Sequence, residues 1–200
     1  MAEYLPFIDD QNELPRFDGQ RFVVLRPGGE VCDAFERVRR TIRDKHADLP
    51  ISYIARAHVT LGGFPKGTRL ESVQELARVW APAVSSLRVE VKQVGFFVSP
   101  FQLLFLQVRK TPELLHALIS LRSLAGQHGL RVADEVPVVD WTFHMSVGYC
   151  ASLDSADWDA VTRSAATMAV PSAHCTVGEA EVAAFDDGRE FSGGVYRLGA

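Results

Sequence analysis

Cysteine is scarce in this chain, with only Cys32, Cys150 and Cys175 among 200 residues. An odd, sparse set with no CxxC or Cys/His ligand spacing signals neither a disulfide framework nor a structural zinc site, and it fits a reducing, cytoplasmic setting. Positive charge is short as well. Twenty-one Lys and Arg stand against 25 Asp and Glu, a formal net charge of −4, which excludes affinity built on neutralising many phosphates of a long nucleic acid. A small anionic ligand held locally is still compatible with that balance. The most apolar stretch, Val94 to Val108, is broken at Ser99-Pro100 and is too short to span a bilayer, so no membrane association is expected. The segment MAEYLPFIDDQNELPRFDGQ carries acids where a signal peptide needs lysines and has no apolar core, so export is not expected either. Walker, GxGxxG and nucleophile-elbow patterns are missing. With 47% hydrophobic and 23% charged residues and no low-complexity bias, the composition is that of a globular protein.

Residues 1–20 mix Pro, Asp, Glu and Asn without periodicity and read as an irregular N-terminal extension, followed by one bilobal unit over 21–200. Arg21 to Pro27 is a β-rich run, and Val31, Ala34, Phe35, Val38 and Ile42 then recur at helical spacing within Glu30 to Ala47. Ile51 to Phe64 reads as strand, and Thr68-x-x-Glu71 reads as a capping box opening a helix to about Ala83. Strands follow at Arg88 to Val98 and Phe101 to Lys110. The order then repeats: helix from Pro112 to about Gly129, strand through Val139 to Tyr149, helix from Asp154 to about Met168, strands near Thr176 to Phe185 and Val195 to Leu198. This is an approximate tandem duplication. His58 to His144 is 144 − 58 = 86 residues, and Thr60 to Ser146, Gly62 to Gly148 and Thr68 to Asp154 keep that offset.

The two matched tetrapeptides are His58-Val59-Thr60-Leu61 and His144-Met145-Ser146-Val147. Side chains alternate across a strand, so Arg56, His58, Thr60, Gly62 and Phe64 are expected on one face, and Thr142, His144, Ser146 and Gly148 on one face of the other strand. Trp141 and Tyr149 fall opposite His144 by the same count. Two copies of such a pattern arise by chance in on the order of one chain of this composition in a hundred. Facing each other, the strands would line a cleft with two imidazoles and two hydroxyls. Two imidazoles titrating near neutrality can serve as base and acid, and hydroxyls can donate hydrogen bonds to charge that develops between them. His58, Thr60, His144 and Ser146 are thus the candidate catalytic set, and no metal-ligand spacing or cofactor motif accompanies them. The acids Asp134, Glu135, Asp186 and Asp187 form no convincing carboxylate pair. His46, His116, His128 and His174 lack a hydroxyl partner in the pattern and read as structural.

Over roughly residues 21 to 198 the sequence resembles the 2H phosphoesterases, named for two His-x-Thr/Ser-x motifs in pseudo-symmetric lobes. The resemblance implies an α+β fold of two pseudo-twofold-related lobes, each an antiparallel sheet with helices on its outer face and the active-site cleft between. It implies metal-independent hydrolysis of a 2′,3′-cyclic phosphate or related ribose cyclic phosphodiester, with His144 activating water and His58 protonating the leaving oxygen, although the two halves are nearly interchangeable. Bacterial ligase-type members commonly carry an Arg shortly after the second motif. This chain instead reads HMSVGYC, and Tyr149 is similar to a Tyr lining the nucleobase end of the pocket in plant cyclic phosphodiesterases. Arg56 is placed to reach a phosphate and Phe64 to flank the pocket. The expected partner is a small cyclic-phosphate nucleotide, acted on by a monomer. The alternatives are RNA ends, through end-processing phosphodiesterase or 2′-5′ RNA ligase activity, and a non-catalytic module binding nucleotides or RNA termini.

Overall fold

The computed structural model describes residues 6–8, 10–98, 102–133 and 136–199. Two antiparallel sheets carry the architecture. The first is ordered β3 (Val59–Phe64), β1 (Arg21–Leu25), β8 (Glu179–Asp186), β9 (Arg189–Arg197). The second is ordered β2 (Ser52–Tyr53), β6 (His144–Tyr149), β5 (Leu103–Val108), β4 (Leu87–Phe97), β7 (His174–Val177). Helices α3 (Leu70–Trp80) and α4 (Pro112–Gln127) pack on the first sheet, and α2 (Glu30–Lys45) and α5 (Ser155–Ala166) on the second. No helix among the described residues is long and apolar enough to cross a membrane.

The sequence repeats and the lobes do not coincide. Strand β4 closes the first repeat but pairs with β5 of the second, and β8 of the second repeat pairs with β1 of the first. Helices cross over in the same way, α2 leaving the first repeat for the second sheet and α4 making the reverse trip. Each lobe is thus completed by the other half of the chain, and one continuous core joins Phe35 and Val38 of α2, Leu118 and Leu121 of α4, and both motif strands.

Most expected elements form, with instructive differences. Val31, Ala34, Phe35, Val38 and Ile42 are the buried stripe of α2. The strand expected over Ile51 to Phe64 is interrupted between Tyr53 and Val59, and that expected from Val139 begins only at His144, after a turn at 138–140. Thr68 does not cap α3. Its hydroxyl donates to the Pro65 carbonyl at 2.8 Å, closing the preceding turn, and Arg69 takes the N-cap position without a side-chain bond. Asp154 does cap α5, accepting from the Asp157 amide at 2.9 Å. Within the segment read as irregular, Leu14–Phe17 form a one-turn helix, α1, and Phe7, Ile8 and Leu14 are buried. Ser99 to Phe101, Asp134 and Glu135 lie outside the described residues.

Candidate active site

Both histidines sit where a motif strand begins, and each imidazole reaches back to a carbonyl of its own chain. Nδ1 of His58 lies 3.1 Å from the Arg56 carbonyl and Nδ1 of His144 lies 2.9 Å from the Thr142 carbonyl. A carbonyl can only accept, so each Nδ1 carries the proton, and in the neutral ring Nε2 is left with its lone pair. The two halves thus fix the same tautomer by the same local bond.

Beyond the hydroxyl, a bulge in each motif strand resets which side chains face the cleft. Against β1, Val23 pairs with Gly62 and Val24 with Thr60, leaving Leu61 as an extra residue. Against β5, Leu104 pairs with Gly148 and Phe105 with Ser146, leaving Val147 extra. Leu61 and Val147 are themselves 86 residues apart, 147 − 61 = 86. One extra residue shifts the alternation by one place. Gly62 therefore turns to the core, where an added Cβ would stand 3.0 Å from Leu121, and Phe64 is fully buried there. The expected flanking role of Phe64 is not met, and Gly63 lines the cleft in its place. In the second strand the same shift brings Tyr149 round to the face of His144 and Ser146.

The cleft is a cavity of about 450 Å³ bordered by His58, Thr60, His144, Ser146 and Tyr149. All four members of the expected catalytic set meet there. Arg56 does not: its side chain is exposed and outside the cavity, and it contributes only its carbonyl to His58. Trp141, expected on the face opposite His144, is 7% exposed but also borders the cavity. The walls are mostly aromatic. Phe17, Phe22 and Phe185 form one cluster, with ring centroids 5.3–6.1 Å apart, and Phe17 reaches Tyr149 at 6.0 Å. Among the described residues no group of three or more His, Cys, Asp and Glu is arranged to hold a metal ion.

The imidazoles differ in surroundings. Phe7 lies over His58 with ring centroids 3.9 Å apart and planes 30° from parallel. The backbone carrying it is clamped: the Glu190 carboxylate accepts from the Phe7 and Ile8 amides at 3.1 and 3.0 Å, and the Phe7 carbonyl accepts from the Ala55 amide at 2.8 Å. The Arg26 guanidinium, ion-paired with Glu181, stands 5.1 Å from the centre of the Phe7 ring. His58 is only 9% exposed, and burial, with smaller contributions from the Arg26 and His144 charges, pushes it down to about 4. His144 instead packs against Phe97 and Phe105, each with its ring centroid at 5.1 Å. Burial pushes the Tyr149 phenol up to about 12, with Glu13 acting in the same direction against its hydrogen bond to Ser146. Phe7 has no motif to mark it, because it lies outside the duplication. Its only signal in the sequence is an apolar Phe7-Ile8 pair in an acid-rich segment.

The family model of the 2′-5′ RNA ligase superfamily matches residues 27–189. Solved structures share the fold. TT0787 of Thermus thermophilus superposes with a TM-score of 0.64 at 13% identity, covering 90% of this chain and 97% of that one. E. coli LigT, solved with NADP+, gives 0.57 at 16% identity over 92% and 99% of the two chains. Kluyveromyces marxianus Usb1 gives 0.56 at 14% identity over 88% and 97%. Comparison with curated protein sequences gives no match. The matched family model spans most of the chain, and the chain belongs to the 2′-5′ RNA ligase superfamily, the 2H phosphoesterases.

Proposed function

We propose that the protein hydrolyses a 2′,3′-cyclic phosphate, or a related ribose cyclic phosphodiester of a small nucleotide-like substrate, to a monophosphate. The observation that carries this reading is the pair of imidazoles, both with Nδ1 tied back to a carbonyl, sharing one cavity with two hydroxyls. Membership of a superfamily made mostly of phosphodiesterases and RNA ligases supports it. Crystal structures of the E. coli relative with 3′-AMP and with ATP support a nucleotide-like ligand.

Water attacks phosphorus in line with the bond to a ribose oxygen, so one imidazole must take a proton from the water and the other must supply one to the departing oxygen. His58, held neutral by its burial, suits the base. His144 then serves as the acid, the reverse of the direction that the resemblance implies. Thr60 and Ser146 donate to the two non-bridging oxygens as charge gathers there. The Tyr149 phenol keeps its proton at neutral pH and can donate it to Ser146 Oγ, leaving the Ser146 proton for the phosphate. Both imidazoles supply proton transfer directly, so turnover is expected to persist in EDTA.

The test is incubation with a panel of nucleoside 2′,3′-cyclic phosphates in EDTA. A monophosphate product with a bell-shaped pH profile, abolished by His58→Ala and by His144→Ala, is the expected result. Undiminished turnover in both variants would overturn the mechanism, and ligand binding without turnover across the panel would favour a binding module.

A further inference from the structure

The cavity is built from phosphate-binding chemistry of an unusual kind, because no lysine or arginine side chain is among the described residues that border it. The remaining residues, 1–5, 9, 99–101, 134–135 and 200, include no Lys or Arg in the sequence, so they bring no lysine or arginine side chain to it. Arg16, Arg21, Arg26, Lys110 and Arg122 do stand behind the walls, but these five are committed elsewhere. Arg21 lies 2.9 and 2.7 Å from the two carboxylate oxygens of Asp186 and donates to the carbonyls of Gln20 and Phe185, both of which border the cavity. Arg16 pairs with Glu13 at 2.9 Å, and Arg26 pairs with Glu181. On the loop that carries Trp141, Arg122 donates to the Val136 carbonyl and lies 4.6 Å from the indole ring, while Lys110 donates to the Val139 carbonyl at 2.7 Å. Asp140 adds an exposed carboxylate at the border.

We propose that the cleft selects a singly charged substrate, one phosphodiester joined to an apolar or aromatic group, and discriminates against the same substrate bearing a second phosphate. This rests on the reading of the cleft as a cyclic-phosphodiester site. Two hydroxyls and a protonated imidazole match the one charge of a cyclic phosphodiester. A further phosphate entering between phenyl rings would shed water without gaining a counter-charge, and an uncompensated buried charge is among the costliest things a site can hold. The aromatic cluster of Phe17, Phe22 and Phe185 offers the second half of the substrate a flat apolar wall instead.

The experiment compares adenosine 2′,3′-cyclic phosphate with its 5′-phosphorylated form and with its neutral 5′-O-acetyl form. The 5′-phosphate is expected to lower kcat/KM by about tenfold or more, while the acetyl form stays within about threefold, because the penalty is electrostatic. Raising NaCl from about 50 to 200 mM is expected to change the rate on the unphosphorylated substrate less than about threefold, in contrast to a site that neutralises many phosphates. Equal or better use of the 5′-phosphate overturns the inference, as does an equal loss with the acetyl group, which would show a steric limit. Calorimetric binding of the same three compounds separates the two readings. Absence of turnover on all three sinks the hydrolase reading, while the binding ratio still decides charge selection, and no measurable binding of the unphosphorylated compound also overturns it.

Discussion

His58 and His144 each donate Nδ1–H to the carbonyl two residues upstream, yet His58 lies under Phe7 with Arg26 beyond it, whereas His144 packs against Phe97 and Phe105 at longer range. The shared bond comes from the duplicated strand. The difference comes from residues 6–8, which have no counterpart in the second repeat. Acid–base chemistry needs two similar groups in unlike protonation states, and duplication alone delivers only the similarity. Here the N-terminal segment breaks the symmetry by covering one imidazole. The two hydroxyls show a milder version of the same contrast, since Ser146 has Tyr149 as a partner and the equivalent position in the first strand is Gly63.

Removing either imidazole tests the comparison most severely. His58→Ala and His144→Ala are each expected to lower kcat by about 10³- to 10⁴-fold, and a loss confined to one of them would dissolve the acid–base pairing. Thr60→Ala and Ser146→Ala are next, at about 10²-fold each with little change in KM; a large rise in KM without a fall in kcat would recast the hydroxyls as ground-state contacts. The third test uses pH. In the free enzyme the acidic limb of kcat/KM is set by the base and is expected near the value of about 4 to which burial brings His58. Phe7→Ala is expected to move that limb up by about one unit or more as water reaches the ring, while a limb that stays put would show that the stacked phenyl does not set the proton affinity. Tyr149→Phe is expected to cost the least, about threefold to tenfold in kcat, consistent with one neutral hydrogen bond. The same asymmetry reaches stability. The folded pKa of His58 lies below the ordinary value of 6.5, so its contribution is whole above pH 6.5 and is lost as the pH falls through about 4. Thermal melting across that range checks the sign.

Much of this was legible in the sequence because it is local. The apolar stripe of α2, the Asp154 cap and the two His-x-hydroxyl tetrapeptides depend on neighbours a few residues away, and they form as the spacing implies. What was not legible depends on partners far along the chain. Strict alternation put Phe64 in the cleft and Tyr149 outside it by face, and only pairing with β1 and β5 reveals the extra residue that reverses both. The repeats divide the chain along its length, but pairing divides it differently, each sheet taking two strands and one helix from the other repeat. Phe7 reaches His58 from fifty-one residues upstream, 58 − 7 = 51, through a clamp on Glu190 that lies near the other end of the chain. No periodicity records such a contact.

The paired bulges make the site a matter of counting. Leu61 and Val147 do not border the cleft, yet each sets whether the residue two places further on faces it. Drawing the second motif strand out regular with Val147 kept would leave His144 and Ser146 on their own side while sending Tyr149 into the core and bringing Gly148 to the cleft. Deleting Val147 instead restores plain alternation with Tyr149 still on the face of Ser146. Losing the bulge by re-pairing would thus exchange a phenol for bare backbone, and losing it by deletion would keep the phenol, in neither case by a substitution in the cleft. The lining of such a cleft can change by register as readily as by side chain.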